Sequence, residues 1–342
     1  MASRIAFVAL AAVGLISGGV WYFRTPAQTA AAPKPAGALL PTEPGPQLPP
    51  KSTTPAKTAQ VIGAIEQTQP DITATKANAP TTRPAQALSA DQLFEKAQKL
   101  KERGDLLTAR DLVNNAMVAG QIPESDLDSA KQFLAQLNTR ILLSPEMYPN
   151  DPWNKSLKME PGYAAAKFCK RFDITPELFG RINGIDSHKI RAGKTYKLIQ
   201  GPFHLIVSKS KFTADVYLGA PGGQGSMYVK TFRVGLGSDD STPLGTWQVG
   251  TGKLVNPVYY SPQGDGVIGA DDPKNPLGER WIPLEGLDGD ALGKQSYGIH
   301  GTIEPDSIGK NMSHGCIRLL NDDVTMLYDM LIENKSKVLV VP

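Results

Sequence analysis

The sequence predicts a multidomain chain ending in a mainly-β domain over residues 203–342. A small β-α-α-β unit over 155–200 and a short α-helical module over 88–145 precede it. Three observations carry that reading. Between residues 89 and 143 the apolar residues recur at helical spacing. Between 156 and 199 two β-type runs bracket two helical stripes. From Pro202 onward, apolar and polar residues alternate between clusters of Gly, Pro and Asp.

The N-terminal quarter is different in kind. Residues 5–23, "IAFVALAAVGLISGGVWYF", are uncharged and mostly apolar, and as a helix they would span about 28 Å, close to a bilayer core. The closing Trp21-Tyr22-Phe23 suits a membrane interface. Residues 1–24 thus read as a membrane anchor, with a cleaved signal peptide as the competing reading because "TAAAP" at 29–33 offers small residues. Either way the remainder is expected outside the cytoplasm. Residues 25–87 are rich in Pro, Ala and Thr, too poor in apolar residues to offset the entropy of ordering. They are expected to form a disordered linker reaching about 45 Å.

In "SADQLFEKAQKLKERGD" Ser89 is a natural N-cap, and Leu93, Phe94, Ala97 and Leu100 follow on one face. Gly104-Asp105 ends that helix, and two further stripes follow, from Leu106 to Met117 and from Leu127 to Ile141. The cadence resembles one tetratricopeptide-type hairpin with a capping helix, a spacer or a dock for a protein partner. Residues 156–199 carry an "EPG" turn, the second helix "ITPELFGRINGI" and a closing "KIRAGKTYKL". These features resemble the LysM family, which implies binding to glycan strands containing N-acetylglucosamine. Cys169 falls on an apolar helix face and reads as a small core residue.

A formal charge of +3 and a pI near 8.6 are too mild for a nucleic-acid binder. The two cysteines, Cys169 and Cys316, exclude a disulfide-rich scaffold. Cys316 lies in "MSHGCIRL", two residues after His314, and His300 closes the β-type run "SYGIH". A zinc site on those three side chains is chemically reasonable, but no CxxC or HExxH accompanies them, so neither metal nor cofactor is expected. A thiol needs a base to supply thiolate at neutral pH, and two histidines are available. Gly315 lets the backbone approach a substrate carbonyl, and the amides of His314, Gly315 and Cys316 are candidates for an oxyanion hole. Cys–His acyl transfer is the leading chemistry.

"HGT" and "SHGCIRL", preceded by "STPLGTW" and "DPKNPLGERWI", resemble the L,D-transpeptidase (YkuD) catalytic domain over roughly 203–342. The resemblance implies a mainly-β enzyme of the cell envelope, acting on peptidoglycan stem peptides in wall biogenesis and acylated by carbapenems. It makes Cys316 the nucleophile and His300 the base, with His300 oriented by the Gly301 carbonyl. His314 and Gly315 would shape the oxyanion hole, Ser313 and Arg318 would support the loop, and Tyr297 and Trp281 would lie near the acyl-donor cleft. The acceptor is either an amine, giving three-to-three cross-links or wall-attached protein, or water, giving L,D-carboxypeptidase activity. A same-fold endopeptidase and a non-catalytic wall-binding protein are the alternatives.

Overall fold

The computed structural model describes residues 88–261, 264 and 266–342. The expected membrane segment (1–24) and linker (25–87) lie outside the described residues. Among the described residues no helix is long and apolar enough to cross a membrane.

Three helices come first: α1 (Ala90–Glu102), α2 (Leu106–Val118) and α3 (Leu127–Ile141). Ser89 starts α1 with a reciprocal capping box to Gln92, and the Asp105 carboxylate caps α2 by accepting from the Thr108 amide. Next come β1 (Asn154–Lys158), α4 (Ala165–Arg171), α5 (Pro176–Asn183) and β2 (Thr195–Ile199), with β1 and β2 antiparallel. Thr175 caps α5 ahead of Pro176, and Gly184 ends it at φ +61°, the left-handed conformation glycine reaches without strain. Cys169 on α4 is fully buried, and burial pushes its thiol up to about 12. Both cysteines are free thiols.

The remaining strands are β3 (Phe203–Ser208), β4 (Thr213–Leu218), β5 (Met227–Arg233), β6 (Leu236–Gly237), β7 (Gly245–Val249), β8 (Leu254–Val255), β9 (Tyr259–Tyr260), β10 (Val267–Ile268), β11 (Arg280–Gly286), β12 (Tyr297–His300), β13 (Asn311–Ser313), β14 (Ile317–Arg318) and β15 (Lys337–Val341). Most join one sheet in the order β14-β12-β11-β7-β15-β3-β4-β5, with β8 beside β11. β6 pairs with β13, and β9 with β10. One helix, α6 (Asn321–Met330), follows β14; it stops at Met330 because Leu331 turns extended. Leu205, Val216, Trp247, Ile282, Ile299 and Val338 meet on one face of the sheet as its core.

The helical module packs on the opposite face, where Ile206, Tyr217 and Tyr228 join Leu93, Val113 and Leu134. Polar side chains fix the contact. Asn114 accepts from the Tyr228 amide and donates to the Ser226 carbonyl, while Asn138 donates to the Tyr228 carbonyl. The main chain of edge strand β5 is thereby paired by helix side chains rather than by another strand. Arg110, fully buried on α2, forms a two-point ion pair with Asp151 at 3.0 and 3.1 Å. Lys197 on β2 donates to the carbonyls of Ile141, which ends α3, and of Ser144 and Glu146 beyond it.

Candidate active site

Strand register gathers the site. Trp281 on β11 stands directly opposite His300 on β12, and His300 opposite Arg318 on β14. Residues paired across strands project to the same face, and Cys316, two residues before Arg318, follows that face. The Cys316 sulfur accordingly lies against the backbone of Gly298, two residues before His300. The other face of the same strands carries Ile282, Ile299 and Ile317, all buried. Alternation thus supplies core on one side and chemistry on the other.

His300 is 5% exposed, and its Nδ1 lies 2.7 Å from the Gly301 carbonyl. A carbonyl accepts only, so Nδ1 carries the proton and Nε2 is left as the basic nitrogen. The Trp281 indole stacks on the imidazole with centroids 5.9 Å apart and planes 25° apart. The turn after His300 is pinned by Asn321, whose Oδ1 accepts from the amides of Glu279 and Thr302 and whose Nδ2 donates to the Thr302 carbonyl. A Cβ on Gly301 would stand 2.1 Å from Asn321 Oδ1, so only glycine fits there.

The Cys316 loop is held from within. Ser313 Oγ donates to the Cys316 carbonyl at 2.6 Å and accepts from the Gly315 amide at 3.1 Å. The Gly315 amide is therefore engaged, which removes it from the expected oxyanion hole. The amides of His314 and Cys316 make no hydrogen bond to another described residue. Gly315 adopts φ +125°, and a Cβ there would stand 2.7 Å from the Tyr297 ring. His314 itself is exposed.

Electrostatics favour the neutral forms of both groups at rest. Burial pulls His300 down to about 4, opposed by the Gly301 hydrogen bond and reinforced by the Arg318 charge. Burial likewise pushes the Cys316 thiol up, against the Gly298 backbone and Arg318, which favour thiolate. Arg318 ion-pairs with Glu304 at 2.9 Å, while its buried Nε has no partner among the described residues. No cluster of three His, Cys, Asp or Glu side chains among the described residues could hold a metal.

Tyr297 lies against Gly315 but on the sheet face opposite His300. It pairs with Leu284, which puts it on the core face, and its ring packs on Trp247 at 5.1 Å. One step along a strand reverses the side, so Tyr297 supports Gly315 from beneath while Trp281 flanks His300. The sequence reading missed Asn321, which sits in "LLNDD", where it reads as an ordinary helix start.

Residues 202–340 match the L,D-transpeptidase catalytic domain, YkuD. The "Putative L,D-transpeptidase YqjB" of Bacillus subtilis is 43% identical over 94 residues, covering 28% of this chain and 49% of that protein. The chain thus spans about half the length of that relative. The "Putative L,D-transpeptidase YkuD" of Bacillus licheniformis is 37% identical over 195 residues, 54% of this chain and 98% of that protein. Among solved structures, an L,D-transpeptidase from Mycobacterium smegmatis is 20% identical, with a TM-score of 0.31 over 44% of this chain and 64% of that one. With 98% of the Bacillus licheniformis protein aligned, this chain belongs to the YkuD family of L,D-transpeptidases.

Proposed function

We propose that the chain is a peptidoglycan L,D-transpeptidase in which Cys316 is the nucleophile and His300 the general base. The observation that carries the reading is a thiol and an imidazole on one sheet face, with the imidazole's Nδ1 tied to Gly301 and its Nε2 free. In the first step Cys316 Sγ bonds to the carbonyl carbon of the third residue of a donor tetrapeptide stem as its proton passes to His300 Nε2. The amides of His314 and Cys316 hold the oxyanion, with the Arg318 charge nearby. Collapse breaks the C–N bond, and Nε2 returns the proton to the departing D-amino acid. An acceptor amine then attacks the thioester, gives a proton to Nε2, and Cys316 recovers it as sulfur leaves.

Because both groups rest neutral, the proton moves during attack rather than beforehand, and the base matters accordingly. His300→Ala is expected to slow acylation by about 10²–10⁴-fold, the usual contribution of a general base. His314→Ala, on an exposed side chain, leaves the rate within the same order of magnitude. Equal losses, read by intact-protein mass spectrometry against a carbapenem, would reassign the base.

The β1-α4-α5-β2 unit is read as a LysM-like glycan binder that keeps the enzyme at the wall. The arrangement of its two antiparallel strands and two helices supports this. The deciding experiment incubates the full chain with purified disaccharide-tetrapeptides and analyses the products by mass spectrometry. Three-to-three linked dimers are expected. Tripeptides alone would assign hydrolysis, and unchanged substrate would overturn the proposal.

A further inference from the structure

We infer that Thr242 is a positioning residue for acyl transfer: through the Gly315 carbonyl it aims the Cys316 amide at the oxyanion. The inference rests on the acyl-transfer reading of Cys316. Thr242, in the loop between β6 and β7, is 2% exposed and touches no reacting atom. Its hydroxyl accepts from the Gly237 amide at 2.9 Å and donates to the Gly315 carbonyl at 3.0 Å.

The carbonyl of Gly315 and the amide of Cys316 belong to one planar trans peptide, so they point in opposite directions. Holding the carbonyl down on the buried loop therefore holds the N–H up, away from it. That N–H is attached to the residue carrying the nucleophilic sulfur and has no other acceptor among the described residues.

The peptide needs a latch because Gly315 is glycine. Its φ of +125° is open to few other residues, and a Cβ would stand 2.8 Å from the Ser241 carbonyl oxygen. The freedom that permits this conformation also makes a peptide flip cheap. A flip would turn a carbonyl oxygen, rather than an N–H, toward the developing negative charge. The neighbouring peptides have latches of their own, since Ser313 Oγ holds the Gly315 amide on one side and the Cys316 carbonyl on the other. Among the described residues, Thr242 is the one hydrogen-bonding partner of the peptide between them.

The test separates two reactions of one sulfur. Imipenem acylates it: the Sγ–C bond forms, the lactam C–N bond breaks and the thiol proton ends on nitrogen, through an oxyanion. Iodoacetamide alkylates it by displacing iodide at a saturated carbon, with no oxyanion. In the full chain, Thr242→Val is expected to slow imipenem acylation by about 100-fold. Its iodoacetamide rate and the pH profile of that rate stay at wild-type values, and Thr242→Ser restores most of the acylation. Thr242→Ala, scored alongside, removes the hydroxyl without adding a methyl in its place, should the valine variant fail to fold. Unchanged acylation in the hydroxyl-free variants, or equal loss of acylation and alkylation, overturns the inference. A wild-type chain that alkylates but never acylates overturns the acyl-transfer reading itself, and this inference with it.

Discussion

The full chain carrying Cys316→Ala is expected to gain no mass on exposure to a carbapenem and to form no transpeptidation product, while Cys169→Ala behaves as wild type. The contrast follows from where the two sulfurs sit. Cys169 is fully buried on α4, with its thiol pushed up to about 12, so it is neither reachable nor ionised near neutral pH. Cys316 is only partly buried, on the face of the sheet that carries His300, beside the Gly298 backbone. Removing its sulfur leaves the loop's other bonds in place, because Ser313 holds the Cys316 main chain rather than its side chain. Binding of donor stems should therefore survive the substitution while the covalent step disappears. An adduct on the Cys316→Ala chain would move the nucleophile elsewhere.

The second large effect concerns stability. Asp151→Ala leaves the buried Arg110 guanidinium with the half-exposed Asp111 as its one remaining carboxylate partner. Stranding one member of a buried ion pair costs about 3–5 kcal/mol, whereas replacing both by apolar residues of similar volume is often neutral. Asp151→Ala should thus lower the thermal midpoint by about 6–20 °C. The double variant Arg110→Met/Asp151→Leu should recover most of that. The two aspartates keep Arg110 charged despite burial, raising its pKa against the desolvation that opposes it. Differential scanning calorimetry of the wild type and these two variants tests this; a double variant as unstable as Asp151→Ala would remove the ion pair as the cause.

Much of this organisation was legible in the sequence, for identifiable reasons. Capping residues and apolar stripes marked α1–α3, and alternation marked β3–β5, because both signals are local. The pairing of His300 with Gly301 came from the family resemblance, and the structure shows it between adjacent residues. What stayed hidden depends on partners distant in the chain. Asn114 and Asn138 look like solvent-facing helix residues until Tyr228 of strand β5, 114 and 90 residues away, is laid against them. The side of the sheet that Tyr297 takes was hidden, because it is set by a register with β11 that no local pattern fixes. Thr242 was invisible as a contact, since its partner Gly315 lies 73 residues on.

The asparagine seam along β5 bears on where this protein can be divided. A chain begun at residue 203 would keep the Cys316 loop and still be compromised. It would present an unpaired strand edge together with bare Tyr217 and Tyr228, both nearly fully buried in the whole molecule. Such an edge templates pairing with a second copy, so the shortened chain would self-associate. A piece that keeps this seam covered begins near Ser89, where the first helix is capped, and not at the border of the catalytic fold.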